Sequence, residues 1–349
     1  MKGGNMVSRV AARVRRKARA ARNRRSIRHL HGPKGPGDDP REVVVVALVR
    51  DGMFYLDEFL AHYRALGAGL FVFCDNGSAD GTLDRLRAEP DTVILQSLEP
   101  WGHMESDFRR HAAERYATGR WCLYADMDEM LDFEGAAEMG LRGLTARLEA
   151  RGHTALVAQM LDLFPDRPLR EVASLPYSDV LAQFVHYEPD YLLRQAYHDP
   201  AIDFSYFLQA NEVTNPAIKV FSGGVRARVF GEMCCLTKHP LVHVVGDVVP
   251  GVHPHCATNV RCADFTAVIR HYKFANDPAA RDADVARRQA ILHGDDHKRL
   301  SVFDATPDLT LHTADCRRLL GLDQLYHEGF LIRAPGGTGA VAGAAGTAT

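Results

Sequence analysis

The sequence predicts an α/β fold: a Rossmann-like, mostly parallel sheet flanked by helices, in a single domain. Three features predict it. Short, wholly apolar runs recur along the first third of the chain, an amphipathic helical pattern follows the first of them, and polar, acid-bearing loops follow the second and fourth. Val43–Val49, Leu70–Cys74, Val93–Leu95 and Trp121–Ala125 are the runs; apolar on both faces, they read as strands buried on both sides, the habit of parallel sheets. Between the first two, Leu56, Phe59, Leu60, Tyr63 and Leu66 recur at helical spacing and Gly67 ends the helix, giving a strand, helix, strand unit. Cys74 and Cys122 lie inside the runs and read as small buried hydrophobes.

Composition bounds the rest. The 349 residues, 46% hydrophobic and 25% charged, suit one large domain. No apolar run reaches the roughly 18 to 20 residues needed to span a bilayer, and no secretory leader pattern opens the chain. Seven cysteines without CxxC pairs indicate neither a disulfide framework nor a common zinc module, so a cytoplasmic setting is expected. The net charge of -2 hides an asymmetry: residues 1–40 carry 12 Lys and Arg against Asp38 and Asp39. This segment is expected to be a disordered tail or a helix lying on anionic membrane at the inner face, with Val7, Val10, Val14, Ala18 and Ala21 on its apolar side. No nucleic-acid partner is expected, because no recognition motif accompanies the charge. Gly32–Gly37 reads as a linker, ordered structure is expected from Arg41 to about 333, and residues 334–349 read as a disordered Gly/Ala/Thr tail.

In parallel sheets ligands sit beyond the carboxyl ends of strands. The second run ends in Asp75-Asn76-Gly77-Ser78-Ala79-Asp80-Gly81-Thr82, where Asn76-Gly77 suits a turn and Ser78 or Asp80 could cap the next helix. Asp75, Asn76 and Asp80 are candidate contacts to a nucleoside, whose imide and ribose hydroxyls donate hydrogen bonds. The fourth run leads into Asp126-Met127-Asp128-Glu129. Acids this close raise one another's pKa unless a cation sits among them, and a hard divalent ion suits oxygen ligands.

Ala47-Leu48-Val49-Arg50-Asp51, Phe59 through Gly67, the Asp75–Thr82 loop and Trp121 through Leu131 together resemble bacterial family 2 glycosyltransferases. The resemblance covers residues 42–133 and returns in Gly223–Arg228, Lys238–Val242 and His271–Phe274, while 165–220 matches nothing recognisable. It departs at Asp51-Gly52, where relatives commonly carry Asn-Glu. It implies a GT-A fold with one catalytic domain over 41–333, divided into a nucleotide-sugar-binding half (41–133) and an acceptor half (134–333). It also implies transfer of a sugar, with inversion, from a nucleotide-diphosphate sugar, expected to be a UDP-sugar, to a carbohydrate or glycolipid hydroxyl in surface polysaccharide or glycolipid assembly. Mn²⁺ or Mg²⁺ would be held by Asp126 and Asp128, with His253 or His255 as a further ligand. Arg50, Lys238 and Lys273 are the cations expected at the donor, Asp126 is also expected to touch it, and Asp162 and Glu232 are the candidate bases. His271 reads equally well as a satisfied core imidazole. Two other classes stay open. One is a catalytically silent binding or scaffold protein. The other is a sugar nucleotidyltransferase, which Val49-Arg50-Asp51-Gly52 disfavours because it has too little glycine for a triphosphate loop.

Overall fold

The computed structural model describes residues 18–288 and 294–335. Apolar, β-branched runs become strands: β1 Arg28–His31, β2 Val44–Val49, β3 Leu70–Asp75, β4 Thr92–Gln96, β5 Trp121–Asp126, β6 Glu129–Asp132, β7 Ala155–Asp162, β8 Thr237–His243 and β9 Cys262–His271. They form one sheet in the order β1-β4-β3-β2-β5-β8-β7-β9-β6. The block β4-β3-β2-β5 is parallel throughout, and β7 pairs parallel with β9. β1, β8 and β6 run antiparallel to their neighbours. The result is the mixed α/β, Rossmann-like architecture with a large central sheet between helices that the sequence predicts.

Alternation along β2 builds two cores. Val45, Ala47 and Val49 face helix α1 (Leu56–Ala65), while Val44, Val46 and Leu48 face Met104, Phe108 and Ala112 of a long helix, Trp101–Tyr116. Every residue of β2, β3 and β7 is buried, which explains why their sequences lack a polar face. Cys74 and Cys122 are fully buried in the second core, as expected.

The basic segment corrects the expected boundary at Arg41. Residues 18–26 are helical and β1 adds to the edge of β4. Asn23 donates to Asp107 (2.7 Å), Ser26 and Ser97 share a hydrogen bond (2.7 Å), and Arg22 and Arg24 pair with Glu99 and Glu114. The supposed linker is held too, since Arg120 donates to the carbonyls of Gly37 and Asp39. Gly32 is required in this connection: at φ +85° a Cβ would lie 2.1 Å from the Thr92 carbonyl oxygen. The expectations for residues 1–17 and 336–349 fall outside the described residues. Deleting residues 1–40 is therefore expected to strip a strand from β4 and lower the melting temperature by about 5 °C or more, on the order of 2 kcal/mol. Thermal melts with light scattering test this; an unchanged melt would mean that the edge strand contributes no stability.

At the far end, Thr266 and Ile332 exchange hydrogen bonds across β9, so order extends at least to Pro335. No helix among the described residues is long and apolar enough to cross a membrane.

Candidate active site

The chain leaves β5 at Asp126, turns through Met127-Asp128 and enters β6 at the opposite edge of the sheet. That turn packs against the end of β9, where Tyr272 N–H donates to the Asp128 carbonyl (2.9 Å). Cross-strand register then sets Glu129 and Asp162 on either side of His271. Three acids and a histidine thus meet where strands end, and only the sheet topology brings them together.

Asp126 is not the open metal ligand the sequence suggested. Arg109, from helix α3 (Trp101–Tyr116; α2 is Thr82–Arg87), donates to Oδ1 (2.6 Å), and Lys238 donates to Oδ2 (2.9 Å). These cations hold its carboxyl far below the usual range against the penalty of burial. Lys238 also donates to Glu129, whose pKa is nevertheless raised because burial dominates. The repulsion among the acids is thus relieved by Arg109 and Lys238. The expected role of Lys238 at the donor changes accordingly, for its ammonium is engaged by two carboxylates.

Asp128 differs. Its carboxylate is held by a single, long ion pair with His271 Nε2 (3.5 Å), and Lys273 and Arg281 lie in its field. His271 Nδ1 meets Asp162 Oδ1 at 2.6 Å, which aims Nε2 at Asp128. The two carboxylates raise the imidazole pKa over the opposing effect of burial. A divalent ion fits here better than at Asp126, because Mg²⁺ and Mn²⁺ commonly take one or two protein ligands and complete their shell with phosphate and water. No group of three His, Cys, Asp or Glu able to hold a metal occurs among the described residues.

His253 and His255, expected to supply a further metal ligand, lie in an aromatic cluster. They stack with Phe204 (ring centroids 4.4 and 6.0 Å) and with each other, and His255 Nδ1 pairs with the Thr237 carbonyl (3.0 Å). Glu105, Asp203, Arg109 and Lys238 are the charged neighbours of His253, and Lys238 and Arg109 those of His255; burial lowers His253 to about 4 and His255 well below its ordinary value.

Both expected bases are engaged in buried ion pairs. Asp162 accepts from Arg226 (2.8 Å) and His271, which lowers its pKa to about 2 despite burial and makes it a weak proton acceptor; it positions His271 instead. Glu232 is buried and accepts from Arg299 (2.7 Å), although burial raises its pKa. Gly223–Phe230 is a strand end followed by a helix, Val225–Phe230, which carries Arg226 inward.

The Asp75–Thr82 loop binds itself. Asp75 is wholly buried and accepts from Gly77 N (2.8 Å), Ser78 N (3.0 Å) and Gln96 Nε2 (2.9 Å); Asn76 Nδ2 donates to the carbonyls of Ser97 and Glu99. Asp80 accepts from Thr82 N and Met53 N (both 3.0 Å). These side chains shape the loop in which the nucleoside contacts of Asp75, Asn76 and Asp80 are expected. Asp51-Gly52, the departure from the resembled family, completes this stitching. Asp51 Oδ1 accepts from Ala79 N (2.7 Å), Gly52 N donates to Thr82 Oγ1 (2.7 Å), and a Cβ on Gly52 would lie 2.5 Å from Val49 Cγ2. Arg50 remains exposed, donating to the Asn76 carbonyl (2.7 Å).

Sequence reading missed Arg109, Tyr55, Tyr177 and Arg281. Tyr177 lies in the segment 165–220 and packs edge-on to Tyr55 (4.9 Å) and Tyr272 (5.9 Å). Arg109 sits among polar helix residues whose spacing gives no sign of an inward ion pair.

No family model and no curated protein matches the chain. Twenty chains of solved structures match. One is the crystal structure of UDP-glucose pyrophosphorylase complexed with UDP-glucose, to which this chain is similar at 9% identity and a TM-score of 0.22. The match covers 45% of this chain and 63% of that chain. The TM-score is too low to equate the two folds.

Burial also sets an acid response. His62 and His239 are lowered to about 4 by desolvation, and His239 Nδ1 already accepts from Ala257 N–H, which requires the ring unprotonated there. A histidine with a depressed folded pKa favours folding above its unfolded value near 6.5, and that contribution is lost as pH falls toward 4. Each should cost about 1.4 kcal/mol per pH unit across that window. Urea denaturation at pH 7, 6 and 5 should show midpoints falling before carboxylates titrate; a flat profile would contradict the buried, neutral state of these rings.

Proposed function

We propose that the protein is a glycosyltransferase that binds a nucleotide-diphosphate sugar, a UDP-sugar in the first instance, and passes the sugar to a hydroxyl of a carbohydrate or glycolipid acceptor. The observation that carries this reading is Asp128, whose carboxylate is held by a 3.5 Å ion pair with His271 and is set at the carboxyl ends of the strands in the field of Lys273 and Arg281. Asp128 and His271 would hold Mn²⁺ or Mg²⁺, and a metal there would act as a Lewis acid toward the departing diphosphate. His271 is kept in orientation by Asp162, and Asp162 by Arg226. Arg50, exposed beside the Asp75–Thr82 loop, is available to the base or ribose. Glu232 has a raised pKa and remains the better candidate than Asp162 to take the acceptor proton. Inversion at the anomeric carbon is part of the proposal and rests on the family resemblance alone.

One observation favours a silent nucleotide-sugar-binding protein: the first acid of the Asp126-Met127-Asp128 motif is already neutralised by Arg109 and Lys238. The two readings separate on a panel of nucleotide sugars. Thermal-shift measurements with uridine, guanosine and thymidine diphosphates, with and without Mn²⁺, should show stabilisation by one nucleotide that grows with its concentration. Release of that diphosphate from its sugar should follow. Binding without turnover over a broad acceptor panel would favour the silent protein, and no shift with any nucleotide would overturn the reading altogether.

A further inference from the structure

Most cations around the site are matched by carboxylates. Arg226 is paired with Asp162, Arg299 with Glu232 and Asp282, and Arg109 and Lys238 with Asp126, Glu105 and Glu129. Two are not. Among the described residues, the ammonium of Lys273, just past the end of β9, has no hydrogen bond or ion pair, and Arg281, on the helix Pro278–Arg287, has no carboxylate partner. Arg281 is held rigidly nonetheless: it donates to Tyr55 Oη (2.5 Å) and to the carbonyl of Lys273 (2.6 Å), which ties the two cations together. Both act on Asp128, the single carboxylate facing them that no other cationic side chain but His271 engages. Beside them, Tyr177 is 2% exposed and its hydroxyl is buried without any hydrogen-bond partner. A buried hydroxyl left so has given up its water without a replacement until an acceptor arrives.

Two linked cations that share one facing carboxylate with His271, and a buried hydroxyl donor without an acceptor, match an anion with several oxygens. We propose that Lys273, Arg281 and Tyr177 form a seat for a diphosphate group, built from the chain itself and able to bind that group without a divalent ion. The proposal deepens the nucleotide-sugar reading and rests on it for the identity of the ligand, but the seat recognises the diphosphate and not the nucleoside. Lysine supplies a point charge, Arg281 two-pronged donation, and Tyr177 a neutral donor at the edge.

The test is calorimetric titration of the full-length protein in a chelator with inorganic pyrophosphate, uridine diphosphate and uridine. Pyrophosphate and uridine diphosphate should bind in the chelator. Lys273→Met and Arg281→Met should each weaken both by about 10- to 100-fold, and Tyr177→Phe by about tenfold or less. Uridine affinity should be unchanged in all three, and Lys273→Arg should retain most of the binding. Circular dichroism spectra and melts qualify each variant as folded, and Lys273→Arg and Tyr177→Phe keep the question answerable if a methionine variant does not fold. Binding of pyrophosphate that appears only when Mn²⁺ is added, or that survives undiminished in the variants, overturns the seat. Pyrophosphate binding lost in the variants, with uridine diphosphate no better than pyrophosphate, supports the seat while removing the nucleotide-sugar reading.

Discussion

Asp128→Ala is expected to reduce sugar transfer by two to three orders of magnitude while leaving the melting temperature nearly unchanged. The side chain's one ion pair, to His271 Nε2, is long at 3.5 Å, and His271 keeps its bond to Asp162. Its value lies in holding the cation proposed to offset the charge of the departing diphosphate, and removing one such electrostatic group typically costs about 10²- to 10³-fold in rate. Asp126→Ala should behave differently although it lies two residues away. It leaves Arg109 and Lys238, both almost fully buried, with one carboxylate fewer each, and a broken buried pair costs about 3 kcal/mol. Parallel melts and initial rates distinguish the two. Full activity in Asp128→Ala would refute its role, and an unchanged melt in Asp126→Ala would refute the buried ion pairs described for it.

Arg226→Met should destabilise the fold by about 3–5 kcal/mol, because it leaves the buried Asp162 carboxylate with His271 as its remaining partner. The effect should carry a pH signature. Asp162 has a folded pKa lowered to about 2, so in the parent protein its contribution is present above the unfolded value near 3.9 and is lost as pH falls toward 2. In the variant the carboxylate can shed its charge at higher pH, so the stability gap between variant and parent should narrow as the solution is acidified. Urea denaturation at neutral pH and near pH 4 measures the gap. A constant gap would mean that Arg226 contributes packing and not charge compensation, and Asp162→Asn combined with Arg226→Met should recover part of the loss.

What the sequence by itself determined is the framework. Runs such as Val43–Val49 and Trp121–Ala125 are apolar on both faces, and that pattern has few solutions other than strands buried between helix layers. The acids after the fourth run were legible as a site because a carboxylate flush against a buried strand needs a partner. Which partner it has was decided only by tertiary structure. Arg109 and Lys238 are separated from Asp126 by 17 and 112 positions, and no local spacing announces either ion pair. The same holds for His271, which becomes a neighbour of Glu129 and Asp162 only through strand register, and for Tyr177, which lies in a stretch without periodicity. Asp75 shows the reverse: its position was read correctly, but its loop's own N–H groups, folded back on it, satisfy the carboxylate before any ligand can. Hydrophobic pattern is a local property and survives in one dimension, whereas charge compensation depends on which strand ends meet in space, and the fold settles that.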